Sequence, residues 1–331
     1  SFWIRVLMIN LPHSQLSNRC STASIPLTIF CQGALTDIEA LLRWLVRCLV
    51  MAKSQRNQSR SRTTPTEQQE LPVGAFPSST GEIELVVERA NPELVTLMVN
   101  GVPSSHHHLS DPNYLEFEYM QHLAAVLRHT MPERANVLHL GGGACTMARW
   151  AHHHNPSSRR LVVEIDTTIA EAVRTWFDLP RSPALRIRAG EARAEVGRMV
   201  EGRNDVVIRD VFAGSTTPPH LMSAEFAAEV LRTLRPDGLY LVNCADRPAL
   251  TVVRDELATL LTVFPRVWAI AEPAQFRGRR FGNFVLVATA GAEAFPQEKL
   301  ATDLNRLPVP ARVIGGAELQ KLAAGGQVIR G

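Results

Sequence analysis

The sequence predicts an α/β fold built around a parallel, doubly wound sheet, and two observations carry this prediction. From residue 136 onward, short apolar segments alternate with segments whose apolar residues recur at helical spacing. The apolar run 137–140 also ends abruptly in Gly141, Gly142 and Gly143, and a helix-compatible segment follows. A strand, a glycine loop and a helix in this order are typical of nucleotide sites, because glycines let backbone N–H groups approach a ligand closely.

The alternation divides into strands and helices as follows. The expected strands are 137–140, 161–165, 185–188, 205–208, 238–243, 266–270 and 284–288. The expected helices are 146–153, 167–178, 191–200, 222–234 and 248–262. Repeated β-α-β order predicts parallel neighbours in one sheet. Pro236-Asp-Gly238 predicts a turn between the fourth of these helices and the fifth strand.

A small β-element is expected before this domain. Residues 82–88 alternate and then turn apolar, and residues 94–99 form a second apolar run. Asn100-Gly101 follows as a strong turn signal. A helix is expected at 115–129, where apolar residues recur at helical spacing.

The chain therefore divides into four expected parts. These are an N-terminal extension and disordered linker at 1–80, the small β-element at 81–110, a Rossmann-like nucleoside-binding domain at 111–295, and a C-terminal tail at 296–331 with one helix at 316–324. The linker is expected because the basic, polar run 53–62 precedes three prolines. We also expect Met51 to be the natural start, with a short amphipathic helix at 38–50 in an upstream extension.

Composition narrows the class of partner. The net charge is only +3 and no aromatic residues interleave with the basic run, so no nucleic-acid partner is expected. No apolar run reaches the roughly 18 residues of a membrane span, so no membrane partner is expected. Five cysteines without C-x-x-C spacing favour a reducing, cytoplasmic location over a disulfide framework or a zinc site.

Three further clusters invite a functional interpretation. His106–His108 and His152–His154 resemble metal ligands in type, but adjacent residues on a loop rarely point at one ion. No metal is therefore expected. Arg277-Gly-Arg-Arg280 has the charge to bind phosphate or nucleic acid, although a charged hairpin before strand 284–288 is the favoured interpretation.

Acidic residues at the ends of predicted strands suggest a nucleoside ligand. Glu164 lies 23 residues after Gly141, close to the spacing of about 20 at which a carboxylate receives ribose hydroxyls. Asp166 either joins this site or caps the next helix. Glu191 either accepts from an adenine amino group or favours a helix N-terminus. Together with Gly141, Gly142 and Gly143, these acids are the candidate nucleoside-binding residues.

Several motifs resemble those of one family. They are Val99-Asn-Gly-Val102, Leu115-Glu-Phe-Glu-Tyr119, Gly141-Gly-Gly143, Val163-Glu-Ile-Asp166, Gly190-Glu191 and Val207-Ile-Arg-Asp210. Through them the chain from about 82 to 290 resembles the spermidine synthase family, the polyamine aminopropyltransferases, and in particular its divergent actinobacterial branch. The resemblance implies a small β-domain followed by a Rossmann-like domain of the S-adenosylmethionine methyltransferase type.

The resemblance also implies an activity. An aminopropyl group would move from decarboxylated S-adenosylmethionine to an amine such as putrescine. The co-substrate would be this nucleoside or S-adenosylmethionine, and no prosthetic group is expected. Asp210 would serve as general base or orient the amine, and Tyr119 would hydrogen-bond the amine or the sulfonium arm. The family commonly forms homodimers, so a homodimer is expected.

The departures from the family leave two alternatives open. The glycine loop continues Ala144-Cys145 where the family has Asp-Gly, and Asp210-Val-Phe-Ala213 lacks the second acid of the family's Asp-x-x-Asp-Pro. Ser104 stands near the place of a family glutamine. The alternatives are an S-adenosylmethionine-dependent methyltransferase and a non-catalytic nucleoside-binding or scaffold homologue.

Overall fold

The structure, a computed structural model, describes residues 71–331. The helix predicted at 38–50, Met51 and most of the predicted linker lie outside the described residues. The first described element is an antiparallel sheet whose strands pair in chain order. Its strands are β1 (Gly74–Ser78), β2 (Gly81–Val87), β3 (Leu94–Val99) and β4 (Val102–His108).

This small sheet begins earlier than the sequence predicts, and it has four strands where the sequence predicts two. Strand β1 lies inside the stretch expected to be linker, because its backbone pairs with β2 from Gly74 opposite Leu85 onward. Pro77 is tolerated because β1 is an edge strand. The predicted turn is confirmed, since Asn100 and Gly101 have φ of 50° and 75°. The first histidine triplet lies in β4.

The second sheet has eight strands in the order β12-β10-β11-β9-β8-β5-β6-β7. They are β5 (Asn136–Leu140), β6 (Arg159–Glu164), β7 (Leu185–Ala189), β8 (Asn204–Arg209), β9 (Leu234–Asp246), β10 (Arg266–Ala271), β11 (Gly282–Thr289) and β12 (Arg312–Gly315). Its helices are α1 (Glu118–Thr130), α2 (Thr146–His154), α3 (Thr167–Trp176), α4 (Ala192–Gly197), α5 (Ala224–Thr233), α6 (Thr251–Val263), α7 (Pro273–Phe276), α8 (Gln297–Asn305) and α9 (Gly316–Ala323).

The α/β fold is confirmed, but the sheet is mixed rather than wholly parallel. Strands β5 to β9 pair in parallel, whereas β11 runs antiparallel to β9, and β10 runs antiparallel to both β11 and β12. The reason is the connection between β10 and β11, which holds only the four-residue α7. Parallel neighbours need a crossover of about a dozen residues or more, so this short connection returns the chain antiparallel.

Two further segments differ from the sequence-based expectation. Pro236-Asp-Gly238 lies within β9, where a register shift against β8 absorbs the extra residues. The stretch expected to be a tail contains α8 and β12 as well as the predicted last helix, and β12 pairs with β10 at the sheet edge. Helix α8 buries only Leu300 and Leu304, so its apolar pattern is too sparse to mark a helix.

Helices cover both faces of the large sheet, as a doubly wound fold requires. One face packs against α4, α5, α6 and α9, and the other against α1, α2 and α8. Each large aliphatic side chain buried in these layers stabilises the fold by roughly 1.5–3 kcal/mol. No helix within residues 71–331 is both long and apolar enough to cross a membrane.

A buried ion pair ties the end of β8 to α6. Arg209 and Glu256 are 1% and 2% exposed and form a charged hydrogen bond through Nη2 and Oε1. Arg209 Nη1 also donates to the carbonyl of Leu221 at 2.7 Å. Arg209 therefore ties the segment around Leu221, which follows β8 in the chain, to α6.

We expect Glu256→Gln to lower the free energy of unfolding by about 3–5 kcal/mol, because it leaves the Arg209 charge buried without a countercharge. Glu318→Gln is the matched control, since Glu318 and Arg312 form a half-exposed pair at 3.1 Å that contributes at most about 1 kcal/mol. Urea denaturation of both variants measures the difference. Equal losses of unfolding free energy in the two variants would show that the buried pair of Arg209 and Glu256 contributes no more than the exposed pair.

Candidate functional site

The glycine loop leaves β5 at the carboxyl edge of the large sheet, and its shape requires glycine. Gly141 has φ of 83°, and a Cβ there would lie 2.0 Å from the carbonyl oxygen of Asp210. Gly143 has φ of 46°, and a Cβ there would lie 2.5 Å from Ser105 Oγ. A side chain at either position would therefore push the loop away from β8 or from the small sheet.

Glu164, the last residue of β6, holds this loop. Its Oε2 accepts hydrogen bonds from the backbone N–H groups of Gly142 at 2.9 Å and Gly143 at 2.8 Å. Its Oε1 accepts from the N–H of Asp166 at 2.9 Å. Three of the roughly four acceptor positions of the carboxylate are thus used, which leaves capacity for about one ribose hydroxyl rather than two. Contact with ribose stays a prediction.

Asp166 and Glu191 both cap helices, the alternative that the sequence left open for each. Buried Asp166 accepts from the N–H of Ile169 through Oδ1 and from Thr80 through Oδ2. Burial raises the pKa of Asp166, but these hydrogen bonds outweigh it and lower the pKa to about 2. Glu191 accepts from the N–H groups of Arg193 at 3.0 Å and Ala194 at 2.8 Å. Binding of adenine by Glu191 stays a prediction.

The two predicted catalytic residues meet at the end of β8. The Tyr119 hydroxyl, from α1, donates to Asp210 Oδ2 at 2.9 Å. The backbone N–H of Asp210 donates to the carbonyl of Leu140, which fixes Asp210 beside the glycine loop. Burial raises the pKa of Asp210, although its hydrogen bonds oppose the shift. Burial and the nearby Asp210 also raise the pKa of Tyr119 well above its ordinary value.

The structure adds two asparagines that sequence reasoning missed. Asn243 Nδ2 donates to Asp210 Oδ1 at 2.8 Å, and Asn283 Nδ2 donates to Asn243 Oδ1 at 2.8 Å. Asn243 directly follows the apolar run 239–242 of β9, and Asn283 directly precedes the apolar run 284–288 of β11. A polar residue at the end of an apolar run is the sequence signal that marks each of them. Hydrogen bonds from Asn243 and Tyr119 thus orient the Asp210 carboxylate from both sides. We refer to the four hydrogen-bonded residues Asn283, Asn243, Asp210 and Tyr119 as the acceptor cluster.

The small sheet contacts the glycine loop through β4. Ser105 Oγ accepts from the N–H of Ala144 at 2.9 Å, and His107 Nε2 hydrogen-bonds the Ala144 carbonyl at 2.8 Å. The His107 ring also stacks on Phe177 at 4.0 Å. These contacts give His107 a packing role. Across residues 71–331, no group of three histidine, cysteine or acidic side chains is arranged to hold a metal ion.

Ala213 occupies the place of the family's second acid and lies exposed in a tight turn. Its N–H donates to the carbonyl of Thr216 at 2.8 Å, and Gly214 has φ of 64°. The turn leaves the Ala213 side chain exposed to solvent. A larger side chain therefore has room at this position.

We expect Glu164→Gln to weaken nucleoside binding by about 1.5–3 kcal/mol, because a charged acceptor becomes an amide with a single acceptor oxygen. The measurement is a calorimetric titration with methylthioadenosine, beside a melting temperature that reports on folding. Glu171→Gln, an exposed position on α3, is the control and should leave the affinity unchanged. An unchanged affinity in Glu164→Gln would remove Glu164 from the site.

The chain is similar to known proteins over the region that contains these residues. Residues 116–273 match the spermine/spermidine synthase domain, a range that contains Tyr119, the glycine loop, Glu164 and Asp210. The crystal structure of a probable spermidine synthase from Corynebacterium glutamicum ATCC 13032 superposes with a TM-score of 0.74 at 36% identity, covering 78% of this chain and 96% of that one.

Curated relatives include both aminopropyltransferases and methyltransferases. A polyamine aminopropyltransferase of Vibrio vulnificus (strain CMCP6) is 30% identical over 55% of this chain, and an N-terminal histidine N-methyltransferase of Emericella nidulans is 28% identical over 62%. The chain spans 61% of the length of the Vibrio protein and 37% of the Emericella protein. The domain match and the similarity to the Corynebacterium structure over nearly its whole length show that this chain belongs to the spermidine synthase family.

Proposed function

We propose that the protein transfers an aminopropyl group from decarboxylated S-adenosylmethionine to an amine. The observation that carries this proposal is the hydrogen bond between Tyr119 and Asp210 beside the glycine loop. It supports a site in which a nucleoside on the loop presents its sulfonium to an amine on the carboxylate. Membership of the spermidine synthase family supports the same donor.

The proposed reaction is an in-line displacement at the carbon beside the sulfonium. The amine nitrogen attacks that carbon, the carbon–sulfur bond breaks, and methylthioadenosine leaves with the electron pair of that bond. The attacking amine must be neutral and must lose one proton after it bonds to carbon. Asp210 accepts that proton, and the raised pKa of its buried carboxyl makes it a stronger base than an exposed aspartate.

Neighbouring groups would hold Asp210 for this step. Tyr119 and Asn243 each donate to a different carboxylate oxygen, so the carboxylate cannot rotate freely. Glu164 and the glycine N–H groups would position the nucleoside, with Glu191 near the adenine. No prosthetic group takes part. The homodimer and the cytoplasmic location that the sequence predicts stay predictions.

Methyl transfer from S-adenosylmethionine is the second candidate. Two observations favour it, the absence of the second carboxylate at Ala213 and the similarity to the Emericella methyltransferase. A diamine carries two ammonium groups, and with Ala213 one of them loses its charged hydrogen bond, at a cost of about 1.5–3 kcal/mol. A methyl acceptor would not need that partner.

Identification of the nucleoside by-product tests the proposal. The protein is incubated with putrescine, cadaverine or spermidine and with decarboxylated S-adenosylmethionine or, in parallel, S-adenosylmethionine, and mass spectrometry follows the nucleoside and the amine. Methylthioadenosine together with an aminopropylated amine is the expected result. S-Adenosylhomocysteine formed from S-adenosylmethionine, with no aminopropylated product from any amine, would establish the methyltransferase instead.

Ala213→Asp should raise diamine affinity several-fold, because it supplies a partner for the second ammonium group. The effect is kept below that of a buried ion pair because Ala213 is exposed. Putrescine titrated into the complex with methylthioadenosine gives the affinity, and Ala213→Asn is the uncharged control. Equal putrescine affinities in the wild type and both variants would show that position 213 lies away from the bound amine.

A further inference from the structure

Three exposed arginines lie next to the strands that supply the asparagines of the acceptor cluster. Arg247 directly follows β9, and Arg277 and Arg279 lie between α7 and β11. Strands β9 and β11 are antiparallel, with Asp246 opposite Gly282. The last residue of β9 and the first residue of β11 therefore lie side by side, at the carboxyl edge of the sheet. Asp210 lies at that same edge, because β8 runs parallel to β9.

The two loops that carry these arginines touch each other. Gly278 has φ of 61°, and a Cβ on it would lie 2.5 Å from the carbonyl oxygen of Pro248. Arg279 is held by a hydrogen bond from its N–H to the carbonyl of Ala274. The backbone of the two loops that carry the arginines is therefore held in place by contacts between the loops and by hydrogen bonds. We refer to Arg247, Arg277 and Arg279 as the arginine rim.

The acids beside the rim already have partners. Asp246 accepts from the backbone N–H groups of Arg247 at 2.7 Å and Val253 at 2.8 Å. Glu272 pairs with Arg280 at 2.9 Å. Within residues 71–331, the guanidinium groups of the rim form no ion pair with a carboxylate. Three positive charges at this edge are therefore available to an anion.

This charge pattern is unsuited to a simple diamine. The acceptor cluster contains one carboxylate, Asp210, which two neutral donors already engage. Ala213 contributes no second acid. A second ammonium group directed toward the rim would meet like charges, which disfavour it.

We propose, on the basis of the aminopropyl transfer proposed above, that the acceptor is an amine that also carries an anionic group, and that the arginine rim binds that group. The amine lies at Asp210 and the anion at the rim. Guanidinium groups suit this task because they bind carboxylates with paired, charge-assisted hydrogen bonds.

Strand geometry sets the length of such an acceptor. Arg247 follows Asn243 by four residues, and Arg279 precedes Asn283 by four residues. At about 3.3 Å per residue, the Cα of Arg247 lies roughly 13 Å beyond that of Asn243 along β9, whereas Arg279 lies in the turn before β11. A long, flexible arginine side chain spans about half of that distance. An amino acid whose chain has about six carbons between the amine nitrogen and the carboxylate oxygens, with the carboxylate carbon counted, therefore matches the gap.

Three acceptors of equal length test the proposal. They are 6-aminohexanoate, 1,6-diaminohexane and hexylamine, titrated by calorimetry into the protein with methylthioadenosine present and again without it. We expect 6-aminohexanoate to bind at least tenfold more tightly than the diamine. In the double variant Arg247→Ser/Arg279→Ser that affinity should fall about tenfold, while hexylamine affinity should not change.

The control removes the same charge at the opposite edge of the sheet. Arg159 and Arg203 are exposed at the starts of β6 and β8, and Arg159→Ser/Arg203→Ser should leave all three affinities unchanged. The proposal is overturned if the diamine binds as tightly as 6-aminohexanoate, if neither binds, or if the rim variant matches the control.

Turnover with the same amines separates this proposal from the proposed function. If 6-aminohexanoate binds through the rim but no amine is aminopropylated, aminopropyl transfer fails and the charge preference of the acceptor site stands. If the diamine binds more tightly and is aminopropylated, the transfer stands and the rim proposal fails. The titrations without methylthioadenosine give the charge preference even where the nucleoside does not bind.

Discussion

Asp210→Asn should lower turnover by about 10²- to 10⁴-fold, the usual contribution of a positioned general base. The substitution keeps the shape of the side chain and its hydrogen bond from Asn243, but the amide cannot accept the proton that the amine must lose. Nucleoside affinity should be largely unchanged, because Glu164 and the glycine loop are expected to hold the nucleoside. Steady-state rates and a methylthioadenosine titration measure the two effects separately.

Asp205→Asn is the matched control for this change. Asp205 lies on β8 at the end opposite to Asp210, where it pairs with exposed Arg235 at 2.8 Å. The control should retain wild-type turnover. A fully active Asp210→Asn variant would remove Asp210 from the chemistry, and a variant that also loses nucleoside binding would indicate a structural role.

Acidification should destabilise the protein steeply below pH 6.5. Burial lowers the pKa of His107 and of His139 from 6.5 to about 3, and that of His122 to about 4. In the unfolded chain the three histidines take up protons below pH 6.5. In the folded chain they stay neutral until pH 3 to 4. The contribution of these histidines to the free energy of unfolding is therefore fully present above pH 6.5. It is lost as the pH falls, at up to about 4 kcal/mol per pH unit near pH 5.

Urea denaturation at pH 7, 6 and 5 measures this slope. His122→Leu should reduce it by about 1.4 kcal/mol per pH unit, because it removes one of the three buried groups. The control is His153→Leu, since the His153 ring is exposed on α2 and its replacement should leave the slope unchanged. The same free energy of unfolding at pH 7 and pH 5 would contradict the assignment.

The sequence predicts the central half of this fold well because its signals are local. An apolar strand followed by glycines, and a strand that ends in Glu164, place β5 and β6 and their loops without any long-range information. The apolar run before Asp210 marks β8 in the same way. The meeting of Tyr119 with Asp210 is expected only from the family resemblance, because the two residues are 91 positions apart.

Other parts depend on contacts that no local pattern reports. Strand β1 is ordered by pairing with β2, and β12 by pairing with β10, so composition marks neither as a strand. The antiparallel part of the sheet follows from the connection between β10 and β11, which is too short for a crossover between parallel strands. The three backbone hydrogen bonds to Glu164 likewise depend on how the glycine loop folds over β6.

The choice of donor tests aminopropyl transfer by this protein. Decarboxylated S-adenosylmethionine, S-adenosylmethionine and methylthioadenosine are titrated separately into the protein by calorimetry, with no acceptor present. Aminopropyl transfer predicts that the decarboxylated donor binds at least tenfold more tightly than S-adenosylmethionine and that methylthioadenosine, the product, also binds. Tighter binding of S-adenosylmethionine, or no binding of any of the three, would contradict it.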